Sequence, residues 1–504
     1  MSTDLSVQVE KWVKKQLEKE KFYNVRDDKV IEDAVVGPCT LEKHETNVLD
    51  LPLLQRLRKI SQTGFAYLLF PCATHTRFEH TLGVVTMANR FCEAVKKHEP
   101  KMIKEEHQRD VRLAALLHDV GHGPFSHVSE SFFSSYNEVR QQFEKQTFSK
   151  CRPKPHEMLS YFVVTSPTFK NFLEENLKDK KYRVATPDLK KVGNLIVGMT
   201  DDPWEAYLSD IINGAFDSDK FDYILRDCYF TGIRMTVDVS RIFHTVSIDT
   251  KKTFNRQGLV VDVSGSIFIE QILFNKMLLF SSLYHHHKER AAECMLKSIY
   301  EATRDKKLKI NGFDLNKVTD FLNLTDVDLL TTNGKPEDLI PLIRNLSQRN
   351  LLKRALVISR RTIKTNPSLS KEKREKQAEV AYRKLLNVGK DYAQVRQLRE
   401  LIVDEIGGVC TVYEVWLDIP EPPSFREAKQ AVIRVSEEER IRLDKIFPVS
   451  KWLETYAENK WRGHVFCPPD TKMRKQIAEA ARKVIKKALD VEFDENAILY
   501  AKIE

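Results

Sequence analysis

At 504 residues, with 42% hydrophobic and 30% charged side chains, the chain can bury a large core and has the composition of an ordinary globular protein rather than a disordered polymer. Length alone allows about two to four domains, and only 17 glycines and 19 prolines leave little room for long flexible stretches and favour helices. A net charge of +9 suits anionic partners such as nucleotides or nucleic acid, and equally a generally solvated basic surface. The eight cysteines are scattered without a CxxC pair, which argues for reduced thiols in a cytoplasmic setting rather than a disulfide framework or a zinc ribbon. The chain opens on polar Met1-Ser-Thr-Asp4, and no uninterrupted apolar run reaches roughly 18 residues, so neither an export signal nor a membrane span is expected.

Residues 5–22 set Leu5, Val9, Val13 and Leu17 at helical spacing among lysines and glutamates, which predicts an amphipathic leader helix packed on the core or on a neighbouring subunit. From Lys29 to Leu54 the text is loop-like and short-stranded, punctuated by Gly37-Pro38, before a charged helix start over Leu53 to Ile60. Helices are expected around 78–97, 109–120 and 156–164, with 128–152 helical in part. Over 203–245 the pattern is helix, turn, helix: Asn213-Gly214 marks the break and Asp219 starts the next helix, its carboxylate placed to cap the first turn. Gly258 to Gly265 predicts a short strand, and a long buried helix is expected from about Ile267 to Thr303. Composition turns polar over 304–375, which puts a lobe boundary near 310–335. Beyond it, a long amphipathic helix over 372–406 and strands at 409–417, 431–435 and 498–503 predict a smaller α+β lobe.

The chemistry concentrates in Leu113-Ala-Ala-Leu-Leu-His118-Asp119-Val-Gly-His122-Gly-Pro-Phe-Ser-His127. An apolar run ends in adjacent His and Asp and then breaks at Gly121, Gly123 and Pro124, so a helix end presents two metal-ligand side chains to mobile backbone. Neighbouring helix residues point about 100° apart, so the two share one cation only if other ligands complete it at the helix surface. The chain offers His80 upstream and Asp219 downstream. A bare His-Asp pair is a weak signal, because buried histidines more often satisfy a carbonyl; the ordered set His80, His118-Asp119, Asp219 is a strong one. Two imidazoles and two carboxylates suit Fe, Mn, Zn or Ni alike, and leave positions for water and a phosphate oxygen.

Together with Gln55-Arg-Leu-Arg-Lys-Ile60, Phe70 to Gly83 and Asp219-Lys-Phe-Asp-Tyr-Ile-Leu-Arg-Asp227-Cys228, in this order, the stretch resembles the HD superfamily of metal-dependent phosphohydrolases. Within it the chain looks like the deoxynucleoside triphosphate triphosphohydrolases of the SAM-and-HD-domain type, the likeness running more thinly from about Lys29 to Lys486. Only a short leader precedes Lys29, so the SAM domain is expected to be missing. The resemblance implies a divalent transition metal on His80, His118, Asp119 and Asp219, with Mg bridging the triphosphate. It also implies a catalytic relay of His122, Glu130 and His156; similar enzymes carry aspartate at Glu130, one methylene shorter. Arg77, Lys220 and Tyr223 match phosphate-contacting positions, and Lys276 stands where an arginine is expected, losing the bidentate fork. Gln62, Asp227 and Tyr284 match the sugar end, where a tyrosine edge excludes a 2′-hydroxyl; Thr63 replaces a leucine there. The triple histidine His285 to His287 sits on consecutive positions of an expected helix and reads as phosphate contact or packing rather than metal ligation.

Lys29, Val30, Asp50, Gln55 and Arg58 fall, without a gap, on positions where similar enzymes bind an activating guanine nucleotide between subunits; an ordinary surface ion pair of Asp50 with Arg58 is the plain alternative. A second nucleotide position keeps Arg241 and Arg349 but has Glu32, Asp262 and Ser264 where amide and basic residues are expected, so dual activation is not. The expected fold is mainly α: a leader helix (1–28), a helical HD-domain core (29–320) and a smaller α+β C-terminal lobe (321–504). The expected activity is release of triphosphate from dNTPs by a cytoplasmic homo-oligomer, dimer or tetramer, with GTP or dGTP as activator and no membrane partner. The rivals are an HD phosphohydrolase or nuclease acting on another phosphoester, and a nucleic-acid-binding protein whose basic segments 359–374 and 472–487 hold phosphates around a structural HD site.

Overall fold

In a computed structural model, residues 4–22, 28–145, 148, 151–178, 182, 185–234, 238–251, 253–423 and 425–502 are described. Helices account for 59% and strands for 9%, so the protein is mainly α. It divides into two units, each discontinuous in sequence: Met1–Leu279 with Lys317–Val327 and Phe425–Ser450, and Phe280–Asn316 with Asp328–Ser424 and Lys451–Glu504.

In the first unit, Asp4 caps the leader helix Leu5–Leu17 by accepting from Ser6 N, and the helix buries Leu5, Val9, Trp12, Val13 and Leu17. That apolar stripe lies on helices Pro155–Val164 and Pro167–Leu177, so the leader is part of this unit's core. Strands Lys29–Asp33 and Gly37–Leu41 form a hairpin, Asp33 opposite Gly37, whose φ of +78° makes the turn. The expected helix over Leu53 to Ile60 is one α-turn, Pro52–Gln55, tightening into a 3₁₀ turn, Arg56–Lys59.

Three helices carry the site. Arg77–His98 opens on a Thr76/Glu79 capping box and packs on Glu105–Leu117 and Ser218–Thr231. Residues Val111 to Leu117 are buried, so Glu105–Leu117 runs through the core and delivers His118 at its C-cap. Ser218–Thr231 is capped by Asp217, which accepts from Lys220 N, and not by Asp219. Asp219, two residues on, is released to point at His80. A four-stranded sheet completes this unit, in the order Val246–Ile248, Leu259–Asp262, Val432–Arg434, Arg440–Arg442, with Val261 paired to Ile433 in parallel.

The long helix expected from Ile267 to Thr303 is broken. Ser266–Leu279 runs into a π turn, Phe280–Tyr284, and a new helix, His287–Asp305, starts after His286, whose extended backbone ends the ladder and whose ring accepts from Lys288 N. His285 to His287 therefore do not sit on one continuous helix. An 18-residue window within Val263–Tyr284 reaches a mean hydropathy of 1.3, but 56% of it is buried, as in a core helix.

The second unit is built on a three-stranded antiparallel sheet, Lys353–Ile358, Gly463–Cys467, Trp416–Asp418. Its core joins Leu356, Ile358 and Val465 to Leu385, Leu398, Ile402, Ile477 and Ile485 of the covering helices. The expected helix over 372–406 is two, Lys371–Gly389 and Tyr392–Glu405, because Asp391 leaves helical geometry to cap the second through Ala393 N and Gln394 N. The strand expected over 409–417 is confined to Trp416–Asp418, since Gly407 and Gly408 take positive φ and Thr411 and Glu414 close a turn. The strand expected at 498–503 is, over its described start, the short helix Asn496–Leu499; Ile503 lies outside the described residues.

Candidate active site

His80, one turn into its helix and fully buried, places Nε2 3.0 Å from Asp219 Oδ1, 3.4 Å from His118 Nε2 and 3.7 Å from Asp119 Oδ2. The outer nitrogens are already engaged: His80 Nδ1 lies 2.8 Å from Asp222 Oδ2, and His118 Nδ1 2.7 Å from Ala115 O. Each Nδ1 donates, so the two Nε2 atoms point at one another, and the proton that His80 Nε2 holds towards Asp219 is the one a metal ion would displace. His80, His118 and Asp119 bring ligand atoms within 4.8 Å of one another, two imidazoles and a carboxylate of types that suit a divalent cation, and Asp219 adjoins them through His80. Burial opposes protonation of His80, yet the Asp219 and Asp222 carboxylates outweigh it and raise its pKa to about 9. Burial also opposes the charge on Asp119, but Arg77 and the neighbouring imidazoles hold its carboxyl well below the usual range.

Asp119 links this set to a second one. Its Oδ2 accepts from Arg77 Nη1 at 2.8 Å and its Oδ1 lies 3.3 Å from His122 Nε2. His122 stacks on His156, ring centroids 3.8 Å apart, and His156 Nδ1 donates to Glu130 Oε1 at 2.6 Å. Burial, then Arg77 and His156, push the His122 pKa well below its ordinary value. Glu130 stays ionised against its burial because His156 and His127 both attend it. The helix ends at Leu117, so the loop Val120 to Ser126 rather than a further helical turn brings His122 here. That loop is strained: Phe125 and Ser126 both take φ of +54°, a cost of about 1–3 kcal/mol each. Asp326 Oδ1 accepting from Phe125 N at 2.7 Å, and Arg77 Nε donating to Ser126 Oγ at 2.9 Å, hold it in place.

The remaining expected residues divide. Asp227 accepts from His75 Nε2 at 2.8 Å, and Gln62 N donates to His75 O at 3.1 Å, so His75 joins Gln62 to Asp227. Gln62 Oε1 and Thr63 Oγ1 are buried without a hydrogen bond among the described residues. Lys220 Nζ donates to Asp217 Oδ2 at 2.5 Å and to Gly214 O at 2.9 Å. Burial, then the carboxylates of Glu427 and Asp219, raise the Tyr223 hydroxyl well above its ordinary pKa. Lys276 donates to Glu427 Oε1 at 2.5 Å, so a carboxylate sits on an expected phosphate contact. Tyr284 belongs to the second unit, where it closes the π turn edge-on to Phe280.

Of the regulatory candidates, Lys29 and Val30 are exposed on the hairpin and Asp50 is exposed at the end of helix Lys43–Leu49. Gln55 Nε2 donates to Leu49 O at 2.9 Å, and Arg58 Nε to Gln55 Oε1 at 2.9 Å. Arg58 also lies over the Phe78 ring, 3.5 Å from its centroid, and is held by these two residues.

Sequence reasoning left several residues without a role. His127 shares Glu130 with His156, its Nδ1 2.7 Å from Glu130 Oε2; the i, i+3 spacing on one short helix was the available signal. Ser160 Oγ donates to His118 O at 2.6 Å, and Arg56 Nη2 donates to the carbonyls of Val120 (2.9 Å) and His122. Glu427 lies 151 residues from Lys276 and Asp222 142 from His80, too far along the chain for any local pattern to connect these pairs.

Residues 77–224 match the family model for the HD domain, and residues 237–495 that for the HD associated region. An uncharacterized protein of Methanocaldococcus jannaschii is 27% identical over 477 residues, which cover 93% of this chain and 86% of that protein. A deoxynucleoside triphosphate triphosphohydrolase SAMHD1 homolog of Dictyostelium discoideum is 30% identical over 337 residues, 65% of this chain and 60% of its own length. The human deoxynucleoside triphosphate triphosphohydrolase SAMHD1 is 26% identical over 355 residues, 64% of this chain and 54% of its own length. The chain thus spans less than two thirds of those two proteins. A crystal structure of a hypothetical protein from Aquifex aeolicus superposes with a TM-score of 0.59 at 24% identity, covering 91% of this chain and 100% of that one, a likeness of fold.

Proposed function

The chain belongs to the HD-domain family of metal-dependent phosphohydrolases, an HD domain followed by an HD associated region, and on that premise we propose that it hydrolyses dNTPs at the α-phosphorus to deoxynucleoside and inorganic triphosphate. The observation that supports this most is the adjacency of two groups bridged by Asp119: the facing Nε2 atoms of His80 and His118, and the imidazoles on Glu130. His80, His118, Asp119 and Asp219 would hold the divalent metal. When bound, such a cation polarises the phosphoryl group and lowers the pKa of water.

The side chains supply the rest. Arg77, ion-paired with Asp119, stabilises negative charge developing at phosphorus. His156 passes a proton to the leaving oxygen, and the ionised Glu130 beside its Nδ1 stabilises the imidazolium that carries it. His122, kept neutral by burial, packs against His156 and fixes its plane. Lys220, Tyr223 and Lys276 take the phosphate tail. Gln62 and Asp227 take the sugar, the unpaired Gln62 Oε1 offering an acceptor. Mg would accompany the triphosphate.

Control by GTP or dGTP at Lys29, Val30, Asp50, Gln55 and Arg58, assembly into a dimer or tetramer, and a cytoplasmic location are part of the same proposal. Asp50 and Arg58, exposed on adjoining segments, would accept from and donate to a guanine edge. Product analysis tests the reaction: each dNTP, each rNTP and a single-stranded DNA end, with and without GTP. Triphosphate from dNTPs alone is expected. Pyrophosphate or phosphate as product, or cleavage of the DNA end in preference, would give the site to another phosphoester.

A further inference from the structure

Arg226 is buried in the first unit with its guanidinium between two carboxylates. Nη1 and Nη2 donate to Asp33 Oδ2 and Oδ1 at 2.8 and 3.1 Å; Nε and Nη2 donate to Asp222 Oδ2 and Oδ1 at 2.8 and 2.9 Å. Both contacts are two-pronged, a geometry that a guanidinium offers and an ammonium does not. Asp222 Oδ2 also accepts from His80 Nδ1 at 2.8 Å, and the other nitrogen of that ring faces Asp219 at 3.0 Å. An unbroken line of hydrogen bonds therefore runs from the end of strand Lys29–Asp33, through Arg226 and Asp222, to His80.

The fold makes room for this line. Gly83, three residues after His80 on the same helix, lies under the ion pair: a Cβ there would stand 1.8 Å from Asp222 Oδ1 and 2.4 Å from Arg226 Nη2. A glycine inside a helix costs about 1 kcal/mol relative to alanine. Stability does not require the arrangement either, since apolar side chains in place of a buried ion triad are often neutral or stabilising.

The geometry points to Asp33 and Arg226 as positioning residues for His80, acting through Asp222, so that strand Lys29–Asp33 sets how strongly the site holds its cation. This rests on the reading of His80 as a metal ligand. A carboxylate accepting from Nδ1 orients the ring and enriches Nε2 as a donor. Asp222 Oδ2 is shared between His80 and Arg226, so what Arg226 draws from it His80 loses. Asp33 takes half of the guanidinium, and without its charge Arg226 would lean wholly on Asp222.

The test is titration of Co²⁺ into the chelator-treated full chain, in wild type, Asp222→Asn, Asp33→Asn and Arg226→Lys, with far-UV circular dichroism as the control of folding. Co²⁺ affinity is expected to fall roughly 10- to 100-fold in Asp222→Asn and about tenfold in Asp33→Asn, and to be at least that of wild type in Arg226→Lys, which draws less on Asp222 Oδ2, each with a shifted visible spectrum of the bound ion. A folded Asp33→Asn with wild-type affinity and spectrum, beside a weakened Asp222→Asn, overturns the proposal while leaving the metal reading intact. Wild type that takes up no Co²⁺ overturns both. If Arg226→Lys does not fold, Asp33→Asn decides; if neither folds, the pair is a folding element and the proposal falls.

Discussion

His80 Nε2 and His118 Nε2 face each other at 3.4 Å because Asp222 and the Ala115 carbonyl have already taken the protons of their Nδ1 atoms. Two imidazole lone pairs at that separation repel unless a proton or a cation lies between them. The tautomers are set by partners outside the cluster, so the pair is a donor pair by construction. Ser160 Oγ, donating to His118 O, anchors the backbone that carries one of them.

Glu130 serves both His156 and His127, and its replacement separates proton delivery from metal binding. Glu130→Gln is expected to lower kcat for triphosphate release about 10²- to 10⁴-fold with metal content unchanged. Steady-state rates beside elemental analysis check this; a rate within threefold of wild type would remove the relay.

Glu427 holds Lys276 at 2.5 Å, in competition with any phosphate that this lysine would meet. Glu427→Gln keeps a hydrogen-bonding group and removes the charge, so KM for a dNTP should fall about fivefold, roughly 1 kcal/mol, the difference between a charged hydrogen bond and an ordinary one. An unchanged or higher KM would place the phosphate tail elsewhere.

Stability of the second unit leans on Glu301, fully buried, which receives two bonds from Arg399 at 2.8 and 3.0 Å and one from Arg396 at 2.8 Å. Glu301→Gln leaves Arg399 buried without its counter-charge. Urea denaturation is expected to show a loss of about 3–5 kcal/mol, and a loss under 1 kcal/mol would contradict it.

Acid should loosen the same unit before carboxylates titrate. Burial, then Arg290, lowers the His285 pKa to about 4, and burial, then Arg354, lowers that of His287 to about 3. Both imidazoles are neutral when folded and charge at about pH 6.5 when unfolded, so unfolding takes up protons below that pH. Their neutral burial costs nothing above pH 6.5, and stability falls as pH drops from 6.5 towards 4. Because both rings are partly exposed, the fall is on the order of 1–2 kcal/mol. His285→Gln should flatten that limb of a stability-versus-pH curve measured by denaturant titration; an identical slope in the variant would count against it.

Much of the site was legible because its residues lie in short, rigid contexts. The apolar run into His118-Asp119 reads as a buried helix end, and the helix expected around 78–97 is observed as Arg77–His98. What was not legible depends on choices between equal local options or on distant partners. Asp219 reads as the cap of its helix, yet Asp217 takes that place and Asp219 turns to His80. The breaks at His286 and Asp391 interrupt apolar periodicity that continues across them, so the pattern read as single helices. Arg226 meets Asp33 across 193 residues, and 425–450 returns to the first unit, neither of which composition along a line can show.

Metal analysis and rate on one pair of proteins bear most directly on the claim that this chain is a metal-dependent phosphohydrolase acting through His80, His118, Asp119 and Asp219. Wild type and the His118→Ala/Asp119→Ala double variant would be purified alike, assayed for bound Fe, Mn, Zn, Ni and Co, and given dATP and dGTP with Mg. Wild type should carry about one transition-metal ion per chain and release triphosphate, and a double variant that keeps its helical circular dichroism should do neither. Undiminished hydrolysis by the metal-free double variant would contradict that claim.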